Sequence, residues 1–317
     1  MTCVSSQTHD TPPAQIGQTE ADEARERFAL PPGCTEGYVT ANGQRLHYIA
    51  AGEGPLAILL HGFPEFWYSW RMNIPALARI RRVVALDMRG YNLSSKPASG
   101  YDVATLTTDI RCVIEALGER QADIIGHDWG GALAWIFAIR EPDYLRRLVV
   151  LNAPHPGPMS RELRHPRQLR RSPYIGFFQL RGLAERIIAA DNYGLIWSVF
   201  RSADRNREWQ SDADIQRFVE AIARPGALTA ALHYYRQLVR SGPAAVGVTR
   251  IITAPTLTLW GEQDPYLGVE LLDGLNRWVS DLRIVRFPQA GHWLNQQRAA
   301  DVNAEINAFL TEEQPTP

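Results

Sequence analysis

Several things are scarce in this chain of 317 residues, and each scarcity excludes a class of protein. Cysteine occurs only at Cys3, Cys34 and Cys112, an odd and scattered set without metal-ligand or dithiol spacing, so a reduced cytoplasmic chain is the default reading. No apolar run has the length of a signal peptide or a membrane span, and the first 36 residues, with Thr, Gln, Pro and acids, read as a flexible N-terminal extension. Within it only Ala21 to Leu30 could form a short charged helix. Charge of one sign is also missing: the net charge is -1 and the pI near 6.7, which leaves no electrostatic footprint for nucleic acid. Of the 33 basic residues only Lys96 is a lysine, so arginine abundance is a chain-wide bias and says little locally. Asn92-Leu93-Ser94 matches a glycosylation acceptor, by chance in a chain of this kind. No internal repeat is evident.

What is present is enough apolar residue, 45%, to bury a sizeable core. Strands are expected near Gly37–Ala41, Gln44–Ala51, Leu56–Leu60, Arg82–Asp87, Ala122–Ile125, Arg147–Leu151, Pro255–Trp260 and Leu282–Phe287. Amphipathic stretches at Trp67–Ala78, Val103–Leu117, Ala132–Ile139 and Ala299–Leu310 alternate with the later strands, as the faces of a mostly parallel eight-stranded sheet require. From Pro156 to Val248 the character changes to helical, Arg-rich and proline-interrupted, which marks an insertion. The division expected is therefore a 1–36 extension, an α/β core at 37–155 and 249–317, and a helical cap at 156–248. Arg161, Arg164, Arg167, Arg170 and Arg171 form a basic stripe read as a solvated face of that insertion.

Serine is missing from the one place where an acyl-transfer enzyme of this layout would need it. Gly126-His127-Asp128-Trp129-Gly130-Gly131 links an apolar strand to an apolar helix and has the pattern of a nucleophile elbow, in which the glycines are expected to let the backbone turn tightly enough to expose the central residue, Asp128. A serine attacking a saturated carbon would leave an ether; a carboxylate leaves an ester, which water can cleave. Asp128 therefore points to displacement at sp³ carbon. Upstream, Leu56–Leu60 runs into His61-Gly62-Phe63-Pro64. Pro64 has no N–H, so Phe63 would supply one oxyanion donor and Trp129, next after the nucleophile, the other. His61 reads as a prop for this turn.

Downstream, one strand ends in Gly261-Glu262-Gln263-Asp264-Pro265 and another in Gln289-Ala290-Gly291-His292. Nucleophile, acid, histidine is the chain order of α/β-hydrolase triads, with His292 activating water and Asp264 orienting it. The alternative acid seat, after Arg147–Leu151, holds Asn152, which cannot carry the charge.

On these residues, together with Asp87-Met88-Arg89-Gly90-Tyr91, the chain resembles the α/β-hydrolase superfamily and most closely its epoxide hydrolases, over roughly Gly37 to Leu310. The resemblance implies a fold of an eight-stranded, mostly parallel sheet under an inserted cap, and a pair of cap tyrosines. Their places are Tyr174, in Tyr174-Ile175-Gly176-Phe177-Phe178-Gln179, and Tyr235, in His233-Tyr234-Tyr235-Arg236. On a helix, Tyr235 shares a stripe with Leu228, Ala231, Leu232, Leu238 and Val239 and faces inward, with Tyr234 off that stripe. Epoxide opening releases an alkoxide, which a phenol can protonate; a halide needs no proton.

The activity implied is cofactor-free hydrolysis of apolar epoxides to vicinal diols through an ester on Asp128, with epoxide and water as partners, no membrane or nucleic-acid partner, and homo-oligomerisation open. Phe63, Trp129, Phe177, Phe178, Leu267 and Trp293 are the expected pocket walls. The rival readings are a haloalkane or haloacetate dehalogenase with the same nucleophile and a non-catalytic ligand receptor on the same scaffold.

Overall fold

A computed structural model describes residues 30–203, 208–241 and 250–312. β1 (Thr35–Ala41) and β2 (Gln44–Ala51) are joined by Asn42-Gly43, both at positive φ, the turn that closes a two-residue hairpin. β1 starts two residues before the expected Gly37, inside the stretch assigned to the extension, because Thr35 and Glu36 pair with Ala50 and Ile49. Residues 1–29, with Cys3 and nearly all of the short helix expected at Ala21–Leu30, lie outside the described residues.

The other strands are β3 (Leu56–Leu60), β4 (Arg82–Leu86), β5 (Ala122–His127), β6 (Leu145–Leu151), β7 (Thr256–Gly261) and β8 (Leu282–Phe287). They form one sheet in the order β1-β2-β4-β3-β5-β6-β7-β8, antiparallel at β1-β2 and β2-β4 and parallel elsewhere. β3 and β5 are buried at every position, which is why β3 reads as a continuous apolar run without alternation, while β5 also buries Asp123, paired with Arg81 and Arg146. After β3 the chain moves outward to β4 and then returns to the other side of β3 as β5. That reversal opens a crevice at the carboxyl ends of β3 and β5, the usual place for a ligand in an open α/β sheet.

The expected helix over Trp67–Ala78 is instead a 3₁₀ turn at Trp67–Trp70 and a short α1 (Ile74–Leu77). Pro75 explains the break: with no N–H it is tolerated only in a first turn, so the helix restarts just before it. α2 (Val103–Ala116) is capped by Asp102, whose carboxylate accepts from Thr105 N–H at 3.0 Å. α3 (Trp129–Arg140) packs on β5, β6 and α2. Between β6 and β7 the chain forms α4 (Pro156–Glu162), α5 (Pro166–Arg171), α6 (Pro173–Phe177), α7 (Leu183–Ala203), α8 (Asp212–Ala223) and α9 (Ala227–Ser241). α4, α5 and α6 each open on a proline, and α7 is broken by non-helical backbone from Ala190 to Tyr193. α10 (Leu294–Gln297) and α11 (Ala299–Thr311) close the core.

One ionic cluster ties the antiparallel edge to the rest of the sheet. His47 on β2 is buried between Asp87, at 2.6 Å from Nδ1, and Glu36, at 2.8 Å from Nε2. Burial by itself would lower its pKa, but the two carboxylates outweigh it and carry the imidazole up to about 9. The folded pKa thus lies above the unfolded one. The stability it contributes is fully present below about pH 6.5 and lost as pH rises through about 9. Urea melts of wild type and His47→Gln should show a stability gap of roughly 3 kcal/mol on the acid side that shrinks toward pH 9. A gap independent of pH would show that His47 is neutral in the fold.

Candidate active site

At the elbow, β5 ends on His127 and α3 begins on Trp129, so the turn is the single residue Asp128, at φ 51° and ψ -118°. The expectation that glycines supply the tight backbone turn is corrected: Asp128 itself takes the positive φ, a strained conformation that its surroundings must enforce. The glycines serve close approach. A Cβ on Gly130 would lie 2.2 Å from the Leu60 carbonyl oxygen, one on Gly126 2.4 Å from the Gly130 oxygen, and one on Gly131 2.5 Å from Ala153 Cβ. On the facing turn, a Cβ on Gly62 would lie 2.5 Å from the Asp128 side chain. Only bare backbone lets β3, β5 and α3 converge on this carboxylate.

The His61–Pro64 turn leaves the end of β3. Phe63 N–H donates to Asp128 Oδ1 at 2.8 Å. His61 is wholly buried, and burial lowers its pKa, which keeps the ring neutral despite nearby carboxylates. Its Nδ1 lies 2.9 Å from Gly62 O and its Nε2 accepts from Met88 N–H at 3.1 Å, so it braces this turn against the loop after β4. Trp129 opens α3, and its indole ring stands edge-on to Tyr235, with ring centres 5.0 Å apart.

Asp264 and His292 come from the ends of β7 and β8. His292 Nδ1 is 2.7 Å from Asp264 Oδ2, and His292 Nε2 faces Asp128 Oδ2 at 3.6 Å. Burial opposes charge on this imidazole, yet Asp264 and Asp128 together raise its pKa to about 10. Asp128 is partly buried, which opposes its charge, but His292, His127 and the Phe63 N–H keep it ionised by holding its pKa below the ordinary value.

Sequence reasoning missed three parts of this arrangement. Asn152, set aside because it could not be the acid, donates to Asp264 Oδ2 at 2.8 Å and exchanges hydrogen bonds with the Gly261 backbone. Its place at the end of β6, level with the end of β7, was the available signal. Tyr266 N–H and Leu267 N–H fill the other oxygen of Asp264, at 2.7 and 2.9 Å, and the Tyr266 ring lies edge-on to His292. Beneath the elbow, buried Glu65 bonds His127 at 2.9 Å and the Gly62 N–H at 3.0 Å, while His127 Nε2 meets the His292 carbonyl at 2.9 Å. Glu65 follows Pro64 directly, but nothing local says that it reaches the residue before Asp128.

Tyr174 on α6 and Tyr235 on α9 lie edge to face, ring centres 5.9 Å apart, and both line the same space as Asp128. Burial first, then the charge of Asp128, raises the pKa of each above that of a free phenol. Tyr234, expected off the inward stripe, is itself only 1% exposed, whereas Val239 on that stripe is 53% exposed. The reason is that α9 is buried on two sides, against the elbow and against the loop after β4. The Tyr234 hydroxyl donates to Arg89 O at 2.7 Å and its ring packs on Tyr91.

Two cavities meet at Asp128, Tyr174 and Tyr235. One, of ≈ 170 Å³, is walled by Phe63, Phe177, Phe178, Leu195, Tyr266, His292 and Trp293; the other, of ≈ 310 Å³, by Trp129, Ile136, Met159, Leu163, Ile175, Leu238 and Leu267. The six residues expected as pocket walls are thus divided between them, four in the first and Trp129 and Leu267 in the second.

The chain matches the model of the alpha/beta hydrolase fold over residues 55–299. It is 37% identical over 318 residues to Epoxide hydrolase 4 of Mus musculus, covering 94% of this chain and 88% of that protein. To AB hydrolase superfamily protein YfhM of Bacillus subtilis it is 39% identical over 279 residues, 86% of this chain and 96% of that protein. Among solved structures, a single-site mutant of an epoxide hydrolase from Bacillus megaterium, complexed with its product, a naphthyloxy-propane-1,2-diol, gives a TM-score of 0.82 at 32% identity. That match covers 87% of this chain and 100% of the other.

Proposed function

Since the chain belongs to the epoxide hydrolases of the α/β-hydrolase superfamily, we propose that it converts apolar epoxides to vicinal diols through an ester on Asp128. The observation that carries this reading is the convergence of Tyr174 and Tyr235 on the space above Asp128, with His292 Nε2 3.6 Å from Asp128 Oδ2. Residues 156–248 act as a cap that brings the two phenols to a core made of 37–155, with Thr35 and Glu36 added, and 249–317.

In the first step Asp128 Oδ2 attacks a ring carbon, a carbon–oxygen bond to Asp128 forms and the ring carbon–oxygen bond breaks. Oδ1, held by the Phe63 N–H, becomes the ester carbonyl. Attack removes the Asp128 charge. Because that charge holds the tyrosine pKa values up, both phenols become stronger acids as the alkoxide appears, and one of them protonates it. The same loss removes one of two carboxylates that keep His292 protonated, so its proton passes to the tyrosinate and the base is freed only once the ester exists.

In the second step His292, oriented by Asp264 with Asn152 holding that acid, takes a proton from water, whose oxygen bonds to the ester carbonyl carbon. Phe63 and Trp129 N–H groups receive the oxyanion. Collapse breaks the bond to the alkyl oxygen, which takes the remaining water proton. Diol leaves, with Asp128 ionised and His292 protonated as at the start.

Both cavities are walled by aromatic and aliphatic groups, and no Lys or Arg lines either among the described residues. Aryl or alkyl epoxides gain roughly 25 cal/mol per Å² of apolar surface buried there, while a carboxylate substrate finds no cationic partner beyond His292. The Bacillus megaterium relative's aryl-ether diol product fits such walls. Specificity constants for styrene oxide and aryl glycidyl ethers should exceed those for chloroacetate and fluoroacetate. Haloacetate turnover above that of every epoxide would replace this reading with the dehalogenase.

A further inference from the structure

The segment from Arg161 to Ala203 holds eight arginines, no lysine and three carboxylates, in a chain whose net charge is -1. Three of those arginines are tied down, Arg161 to Glu162 and to backbone carbonyls, and Arg167 and Arg171 to Glu270. Arg201 pairs with Asp212. Arg164, Arg170, Arg181 and Arg186 are exposed and have no carboxylate partner among the described residues. Two of the five arginines of the stripe read from the sequence as a solvated face, Arg164 and Arg170, are thus unneutralised, and Arg181 and Arg186, beyond that stripe, add two more.

Exposed aliphatic side chains lie among them. Leu180 is 49% exposed, Leu183 42% and Ile187 46%. Leu183 and Ile187 are one turn apart on the first half of α7, so they point the same way. Arg181 and Arg186 lie within the same eight residues, and the one carboxylate there, Glu185, is taken up by Arg236 at 2.8 Å. After the break in α7, Leu195 is 43% exposed and also walls the smaller cavity. Ile188, the residue after Ile187, walls the same cavity, so this helix contributes to both the exposed face and the wall of the space above Asp128.

We propose that this face docks on an anionic lipid surface, with Leu180, Leu183 and Ile187 entering between headgroups and Arg181 and Arg186 on lipid phosphates. Aliphatic groups flanked by arginine are the composition of a segment that lies in a membrane interface. The mode is peripheral: no helix among the described residues is long and apolar enough to cross a membrane. A second copy of the chain is the poorer occupant, because a two-fold contact would set the same unneutralised arginines against each other. Charge complementarity selects the anionic surface. The docking does not depend on the reaction; only its use, drawing lipid-dissolved epoxides toward the cavity, rests on the proposed function.

Co-sedimentation of the full chain with phosphatidylcholine vesicles, with and without phosphatidylglycerol, tests this. Binding is expected only with phosphatidylglycerol, falling as salt is raised. Arg181→Glu with Arg186→Glu should weaken it by roughly 30-fold or more, at about 1 kcal/mol for each arginine lost. Leu183→Glu with Ile187→Glu should also weaken it, while both variants keep wild-type turnover of a water-soluble epoxide. Equal binding to neutral vesicles, no binding, or binding unchanged in either variant would overturn the proposal. So would light scattering that showed self-association lost in both variants, which would assign the face to a second copy.

Discussion

His292→Gln should lower steady-state turnover by roughly 10⁴-fold or more and at the same time leave the protein heavier by the mass of one epoxide. The two effects belong together because, in the proposed two-step scheme, His292 acts only after the ester has formed. Asp128 keeps the Phe63 N–H on Oδ1 in the variant, so attack proceeds, but no base remains to activate water against the ester. Intact-mass spectrometry after incubation with a substrate that the wild type turns over reads the adduct directly, and digestion should locate it on the peptide containing Asp128. A variant that loses turnover yet stays unmodified would exclude the two-step scheme. Asp128→Asn, which has no carboxylate to attack with, should be inactive and unmodified, and supplies the reference mass.

Tyr174→Phe and Tyr235→Phe should each slow epoxide opening by about 10²-fold or more, the range of general acid catalysis, and the double variant should lose more than either. Rapid-quench alkylation isolates that step from hydrolysis. Tyr234→Phe is the discriminating control. Its hydroxyl is bonded to the Arg89 carbonyl, away from Asp128, so the change should cost about 1–3 kcal/mol of stability by leaving that carbonyl unpaired and should leave the alkylation rate nearly unchanged. A large kinetic loss for Tyr234→Phe with little for Tyr235→Phe would reverse the assignment on α9. If neither Tyr174→Phe nor Tyr235→Phe slows alkylation, the leaving oxygen takes its proton from elsewhere.

These two experiments bear on residues that were legible to different degrees. Asp128 could be found from its neighbours, because a strand-to-helix turn with glycines at fixed offsets is a local pattern. Even so, the reason for the glycines was misread: they admit the Leu60 carbonyl and the Asp128 side chain at close range, and Asp128 takes the strained backbone. Tyr235 could be placed inward by helical periodicity, but Tyr234 could not be placed outward, since a helix buried on two sides has no single stripe. The helix drawn through Trp67–Ala78 failed on Pro75, a breaker already visible in the sequence.

By itself, then, the amino-acid order determined the strands, the elbow, the chain order of Asp128, Asp264 and His292, and the change of character at Pro156, because each of these is recognised from the residues immediately around it. Only the tertiary structure decided that Asn152 steadies Asp264 across 112 positions, that Glu65 grips His127, and that one lobe on each side of Asp128 shares the pocket walls. Those contacts depend on which strands lie side by side and in what register. With β5, β6, β7 and β8 adjacent and parallel, their carboxyl ends come level, and side chains far apart in sequence arrive within hydrogen-bonding distance.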